Sequence, residues 1–166
     1  MRVGFGYDSH RFVEGVPLVL GGIGIPDHPG LAGHSDGDAV AHAVIDALLG
    51  AVAAGNVGSH FPPTDERWKG ADSMDLLARA IRILEGRNYQ VVNLDVTVVC
   101  ETPRISPWSD QMREALGRVL GVGKEHVSVK GKTNEGMGWI GTGEGLAVFA
   151  VAAVDSMGRV GGTPAS

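Results

Sequence analysis

Apolar positions along the chain fall into short blocks whose period switches between two and about 3.6. Arg2 to Asp8 reads as a strand, followed by a turn at Glu14-Gly15-Val16-Pro17. Leu18, Val19 and Leu20 extend to a Gly21-Gly22 turn, which predicts a short N-terminal hairpin. Residues 24–36, rich in Gly, Pro and Asp, read as loop. Val40, Val44, Ala47 and Leu48 form the apolar stripe of a first helix. Ser35 is its predicted N-cap, Asp38 sits three residues on as in a capping box, and Gly55 is a plausible stop. Residues 56–71 lose all periodicity around Pro62-Pro63 and predict a long loop, a length often tied to function.

A second helix opens at Asp72 or Ser73 and carries Leu76, Leu77, Ala80, Ile81 and Leu84. Val92, Leu94, Val96 and Val98 then alternate with Asn93, Asp95, Thr97 and Val99, a strand of about ten residues. Ser106-Pro107 starts a third helix that ends near Gly121, and Val127–Lys132 reads as a strand. Leu146–Val154 is unbroken apolar sequence, too short to span a membrane, and predicts a strand buried on both faces, within the chain or against another subunit. The pattern predicts an α+β fold: a mixed four-stranded sheet with helices on one face, plus the hairpin. It shows no repeat and no linker. A single domain is expected over 1–156, with a flexible tail over 157–166.

Composition narrows the class. The 166 residues are 43% hydrophobic and 20% charged, and the net charge of −5 is interspersed. No Lys/Arg cluster suggests nucleic acid, and no apolar run suggests a membrane span or a signal peptide. A lone cysteine, Cys100, excludes an internal disulfide and fits a reducing, cytoplasmic setting.

The chemistry begins at Asp8 and His10. Two residues apart on a strand, their side chains share a face. His42, on the first helix, would complete a carboxylate and two imidazoles, leaving a fourth metal position open as in catalytic zinc sites. Asp38 and Asp46 lie four residues either side of His42, on its own helical face. Either could accept its second N–H. The competing reading is a hydrogen-bonded core histidine beside a capping aspartate. His34-Ser35, immediately before the helix, suits an anion or simply a capped start. Lys130 to Gly136 runs from a strand into a glycine-rich loop whose lysines and threonine suit phosphate, with Glu135 able to hold Mg²⁺; a polar turn is the alternative. No nucleophile constellation appears, and Cys100 lies in an apolar strand with nothing to lower its pKa. Phosphoryl chemistry by positioning and charge neutralisation is the natural class.

Taken together, Gly6-Tyr7-Asp8-Ser9-His10, His34-Ser35-Asp36-Gly37-Asp38 with His42 and Asp46, Phe61-Pro62 and Lys69-Gly70-Ala71-Asp72-Ser73 form one set. Pro103-Arg104, Lys132-Thr133-Asn134-Glu135-Gly136 and Gly143-Glu144-Gly145 belong with them. The set resembles the 2-C-methyl-D-erythritol 2,4-cyclodiphosphate synthase family, in register over about residues 1–155. The resemblance implies a cytoplasmic homotrimer with its sheets facing the three-fold axis and active sites between subunits. It implies a lyase of non-mevalonate isoprenoid biosynthesis. The 2-phosphate of 4-diphosphocytidyl-2-C-methyl-D-erythritol 2-phosphate attacks the β-phosphorus and expels CMP. By position, Asp8, His10 and His42 would hold Zn²⁺, and Glu135 would hold Mg²⁺ or Mn²⁺ on the diphosphate. His34 and Thr133 match the transition-state stabilisers. The segments Asn56-Val57-Gly58 and Phe61-Pro62-Pro63-Thr64-Asp65 match those that hold the methylerythritol, and Ser35 belongs to the same substrate-binding set. Cys100-Glu101-Thr102-Pro103-Arg104-Ile105-Ser106 would form the cytosine pocket, with Lys132, Thr133, Asn134 and Glu135 lining the diphosphate. Trp139 and Thr142 also fall at substrate-binding positions. Three residues depart from the family pattern: Asn56 and Pro63 stand in place of aspartates, and Thr142 in place of an arginine.

Overall fold

A computed structural model describes residues 1–158. The chain begins with β1 (Arg2–Val13), a strand twelve residues long, so the predicted Arg2–Asp8 strand runs five residues further. The hairpin is β2 (Leu18–Leu20) paired with β3 (Ile23–Ile25) across the two glycines of its turn. The region read as loop over 24–36 contains the end of β3 and a two-residue strand, β4 (Gly30–Leu31), on the edge of β1. Pieces this short carry no period of their own, and pairing alone defines them.

Helix α1 (Ala39–Ala51) is capped by Asp38, whose side chain accepts from the N–H groups of Val40 and Ala41. The predicted cap at Ser35 is therefore displaced by three residues, and the helix stops at Val52, short of Gly55. The segment read as one long loop holds a four-residue helix, α2 (Val57–His60), and a single 3₁₀ turn at Glu66–Trp68. Helix α3 (Ser73–Gly86) opens on an Asp72 cap as predicted. Strand β5 (Tyr89–Val99) contains a bulge between Val91 and Asn93, which puts Val91 on the buried face that simple alternation assigns to Val92. Helix α4 (Ser109–Leu120) starts three residues later than the Ser106-Pro107 signal and ends on left-handed Gly121. Strand β6 (Val127–Lys132), a four-residue helix α5 (Gly138–Gly141) and the long strand β7 (Gly145–Ser156) complete the order.

The main sheet has five strands rather than four, in the order β4-β1-β7-β5-β6. It is mixed: β5 and β6 run parallel, and every other pair is antiparallel. Helices α1, α3 and α4 cover one face, and the core lies between them and the inward side chains of β5, β6 and β7. Among the described residues no helix covers the other face. Strand β7 is buried along its helix side, while on its other side Ala147 is buried but Phe149 and Val151 point away from the core. Of the tail expected over 157–166, Met157 exchanges hydrogen bonds with Asn88, and the stretch 159–166 lies outside the described residues.

Two glycines fix how closely α1 approaches the sheet. A Cβ on Gly4 would meet the carbonyl oxygen of Ala47 at 1.8 Å, and one on Gly6 that of Ala43 at 1.9 Å. Ascending β1 from Gly4 to Gly6 thus descends α1 from Ala47 to Ala43. One more step of two along the strand brings Asp8 to the first turns of α1, where His42 stands.

Candidate active site

Asp8 and His10 continue the inward register of Gly4 and Gly6, so strand alternation delivers both to the helix side. There they meet His42. One donor atom from each of the three lies within 4.8 Å of the others. His42 Nδ1 is 3.1 Å and His10 Nε2 3.4 Å from the same oxygen, Asp8 Oδ2. The imidazole rings stand edge to face, with centroids 5.5 Å apart. His10 Nδ1 lies 3.1 Å from the carbonyl of Ser9, an acceptor, so this nitrogen carries the proton and Nε2 keeps a lone pair. That Nε2 is buried and has no hydrogen-bond partner among the described residues. An orphaned imidazole nitrogen aimed at a carboxylate and a second imidazole fits a divalent cation.

Electrostatics agree. Burial, the strongest influence on His10, holds its pKa below the usual histidine value, which favours the neutral ligand form. Burial also pulls on His42, but the hydrogen bond and charge of Asp8, aided by Asp38 and Asp36, lift it above the usual value. The site is poised for positive charge.

The two aspartates expected to orient His42 do other work. Asp38 is wholly buried and takes four backbone N–H groups: Val40 and Ala41 of its own helix, and Gly21 and Gly22 of the hairpin turn. Burial pushes its carboxyl up to about 6. Asp46 accepts from the N–H of Val57 at 2.7 Å, anchoring α2, and burial raises its pKa also. Neither reaches the ring. The second nitrogen of His42 lies 3.0 Å from Ser73 Oγ and 3.1 Å from Ser35 Oγ. Sequence reasoning missed Ser73 because a serine following a capping aspartate reads only as a helix start.

The cluster opens on a cavity of about 290 Å³. His34, Ser35, Val57, Gly58, Phe61 and Pro63 line it as expected, and Trp68 and Leu76 join them unforeseen. Asn56, Pro62, Thr64 and Asp65 do not. Asn56 caps α2, its Oδ1 accepting from Ser59 N, and Asp65 caps the following 3₁₀ turn and pairs with Arg67.

A second cavity of about 230 Å³ lies at the far ends of β5 and β6, lined by Cys100, Glu101, Pro103, Arg104, Ile105, Ser106, Gly131, Lys132 and Thr133. Among the described residues neither Arg104 nor Lys132 makes an ion pair, so both cations are available to an anion. Glu101 bends back to accept from the N–H groups of Asn134 and Gly136, and Thr133 Oγ1 donates to Glu135 at 2.8 Å. Thr102 lies outside this cavity, its hydroxyl 3.0 Å from His28 Nε2. Burial, with the charge of Glu101 beside it, pushes the Cys100 thiol up to about 11, so it is no nucleophile at neutral pH. Trp139 and Thr142 line neither cavity; the Thr142 hydroxyl is spent on Gly138, Trp139 and Glu144. The two cavities share no residue.

Residues 1–155 match the YgbB family. A 2-C-methyl-D-erythritol 2,4-cyclodiphosphate synthase from Symbiobacterium thermophilum is 54% identical over 154 residues, 93% of this chain and 98% of that protein. A solved structure of 2C-methyl-D-erythritol-2,4-cyclodiphosphate synthase in a CDP-bound form superposes with a TM-score of 0.85 at 36% identity, covering 93% of this chain and all of that one. The bifunctional IspDF of Campylobacter jejuni superposes with a TM-score of 0.90 at 35% identity; there the chain spans 42% of the larger protein.

Proposed function

The chain belongs to the YgbB family, and from that premise we propose that it is a 2-C-methyl-D-erythritol 2,4-cyclodiphosphate synthase. It converts 4-diphosphocytidyl-2-C-methyl-D-erythritol 2-phosphate to the cyclic diphosphate and CMP, a step of isoprenoid biosynthesis. The observation that carries the reading is the convergence of His10 Nε2 and His42 Nδ1 on Asp8 Oδ2 at a cavity wall that also holds His34.

An oxygen of the 2-phosphate bonds to the β-phosphorus, and the bond from that phosphorus to the bridging oxygen breaks. The electron pair leaves with CMP, and the nucleophile, already anionic, needs no base. Repulsion between phosphates is therefore the obstacle. Asp8, His10 and His42 would hold a divalent cation, which would supply positive charge beside the reacting phosphates. His34 contributes an imidazole to the lining of the same cavity, and Phe61 and Trp68 give it apolar walls. The second cavity, lined by Arg104, Lys132 and Thr133, would take the nucleotide, its two cations set to meet the phosphates. Holding both phosphates in one substrate makes the attack intramolecular, which removes most of its entropic cost.

The metal cluster and the nucleotide pocket line separate cavities, which is compatible with the family pattern of active sites built between two chains. The bare sheet face supports a homotrimer, in which the metal cluster of one subunit meets the nucleotide pocket of the next. Zinc is the cation suited to one carboxylate and two imidazoles. Glu135 is the group for a second, oxygen-bound cation such as Mg²⁺. The test is ³¹P NMR of the purified protein with substrate, Zn²⁺ and Mg²⁺. CMP and a cyclic diphosphate are expected; CMP with a linear product would replace the synthase with a hydrolase.

A further inference from the structure

We propose that Ser73 and Asp36 act as a positioning pair that sets the proton and the ring angle of His42, so that Nδ1 faces the metal cluster. The inference rests on the metal-site reading above and adds two residues to it.

The argument runs through the direction of three hydrogen bonds. The two oxygens of Asp36 receive the backbone N–H of Ser73 (3.0 Å) and the Ser73 hydroxyl. The Ser73 proton is thereby committed to the carboxylate. What Ser73 Oγ then offers to His42 Nε2, 3.0 Å away, is a lone pair. Nε2 carries the ring proton that satisfies it, with Ser35 Oγ 3.1 Å from the same nitrogen. Nδ1 donates to Asp8 Oδ2 at 3.1 Å when no cation is bound, and with the Nε2 proton held on Ser73 it is Nδ1 that would give up its proton to bind one. A hydroxyl without the carboxylate behind it could turn and donate instead. Ser73 is wholly buried on the first turn of α3, so solvent does not compete for this contact.

Asp36 is itself held in place. Its backbone N–H donates to the Ala71 carbonyl (3.1 Å), and Gly70 N–H donates to the His34 carbonyl (2.8 Å). The same clasp therefore ties the loop carrying His34 to the start of α3. In this site the carboxylate that commonly backs a metal-bound histidine acts through an intervening serine.

The experiment compares the full-length protein with Ser73→Ala and Asp36→Asn, using Zn²⁺ alone as the probe. Affinity is measured by competition with a chromophoric chelator. The His42 Nε2–H cross-peak of the zinc-loaded protein is followed by ¹H–¹⁵N NMR. Ser73→Ala removes the acceptor; in Asp36→Asn either amide orientation sets a donor against a donor. Each variant is expected to bind Zn²⁺ about 10- to 100-fold more weakly. The His42 Nε2–H signal should shift and exchange faster with water, and activity should return at saturating Zn²⁺. Wild-type affinity and an unmoved His42 signal in both variants would overturn the proposal. Failure of the wild type to bind Zn²⁺ would overturn the metal reading beneath it. Should Ser73→Ala not fold, the same two readouts on Asp36→Asn decide.

Discussion

At the scale of single residues, the carboxylates of this chain divide by what they accept. Asp8 accepts nothing from the backbone among the described hydrogen bonds and faces two imidazoles, so its charge is free for a cation. Asp38 is the opposite case: four backbone N–H groups from two distant segments converge on it, and it is wholly buried. Removing it leaves the Gly21 and Gly22 donors without a partner and takes the cap from α1. Asp38→Ala should therefore cost about 2–4 kcal/mol, a lost cap plus orphaned buried donors. That corresponds to a fall in Tm of roughly 5–15 °C, read by thermal unfolding followed by circular dichroism. The folded fraction should keep its Zn²⁺ affinity, because Asp38 does not touch the His42 ring. A variant of unchanged Tm would show that the hairpin turn finds other acceptors.

At the scale of elements, the site exists because β1 and α1 pack with glycines at the crossing. The carbonyls of Ala43 and Ala47 occupy the space of the missing side chains. Gly6→Ala must push α1 off the sheet, moving His42 away from Asp8 and His10. Overpacking against backbone, which cannot rotate aside, should cost about 3 kcal/mol or more. Zn²⁺ affinity should fall together with stability; full affinity in a folded Gly6→Ala protein would refute this account of the crossing. The sequence makes the long elements legible, because α3 and β5 each carry several repeats of their period. It makes Asp8 and His10 legible too, since alternation alone puts them on one face. What it hides is set by contacts distant in sequence. Ser35 and Asp38 are both good caps, and the choice falls to Asp38 because the hairpin turn supplies two more donors. The two-residue β4 exists only as an edge of β1, and the bulge at Val91 reverses the inward assignment of Val92. Ser73 is 31 residues from His42, and only the fold brings the two together. Resemblance to a family finds the ligands but not this partner.

At the scale of the molecule, the bare face of the sheet is the feature a single chain leaves unexplained. Val3, Phe5 and Tyr7 of β1 lie in register with Ala153, Val151 and Phe149 of β7. Their exposures are 65% for Val3, 62% for Phe5, 45% for Tyr7, 37% for Phe149 and 41% for Val151. Phe149 sits at the centre, its ring 5.3 Å from Tyr7 and 6.2 Å from Phe5. A contiguous patch of large apolar side chains is what a monomer avoids and an assembly buries. Toward β5 and β6 the same face turns polar, with an Asp95–Lys130 pair at 2.6 Å. The apolar half is thus the half to be covered. In the proposed trimer this covering also completes the active site, which separates two properties that a misfolded variant would lose together. Phe149→Asp, a charge at the centre of the patch, should give a folded monomer by light scattering where the wild type gives three chain masses. That monomer should still bind Zn²⁺, since Asp8, His10 and His42 come from one chain, yet it should fail to turn over substrate, since the nucleotide pocket comes from another. A wild-type monomer with full turnover would refute the shared site, and so would a monomeric Phe149→Asp protein as active as the wild type.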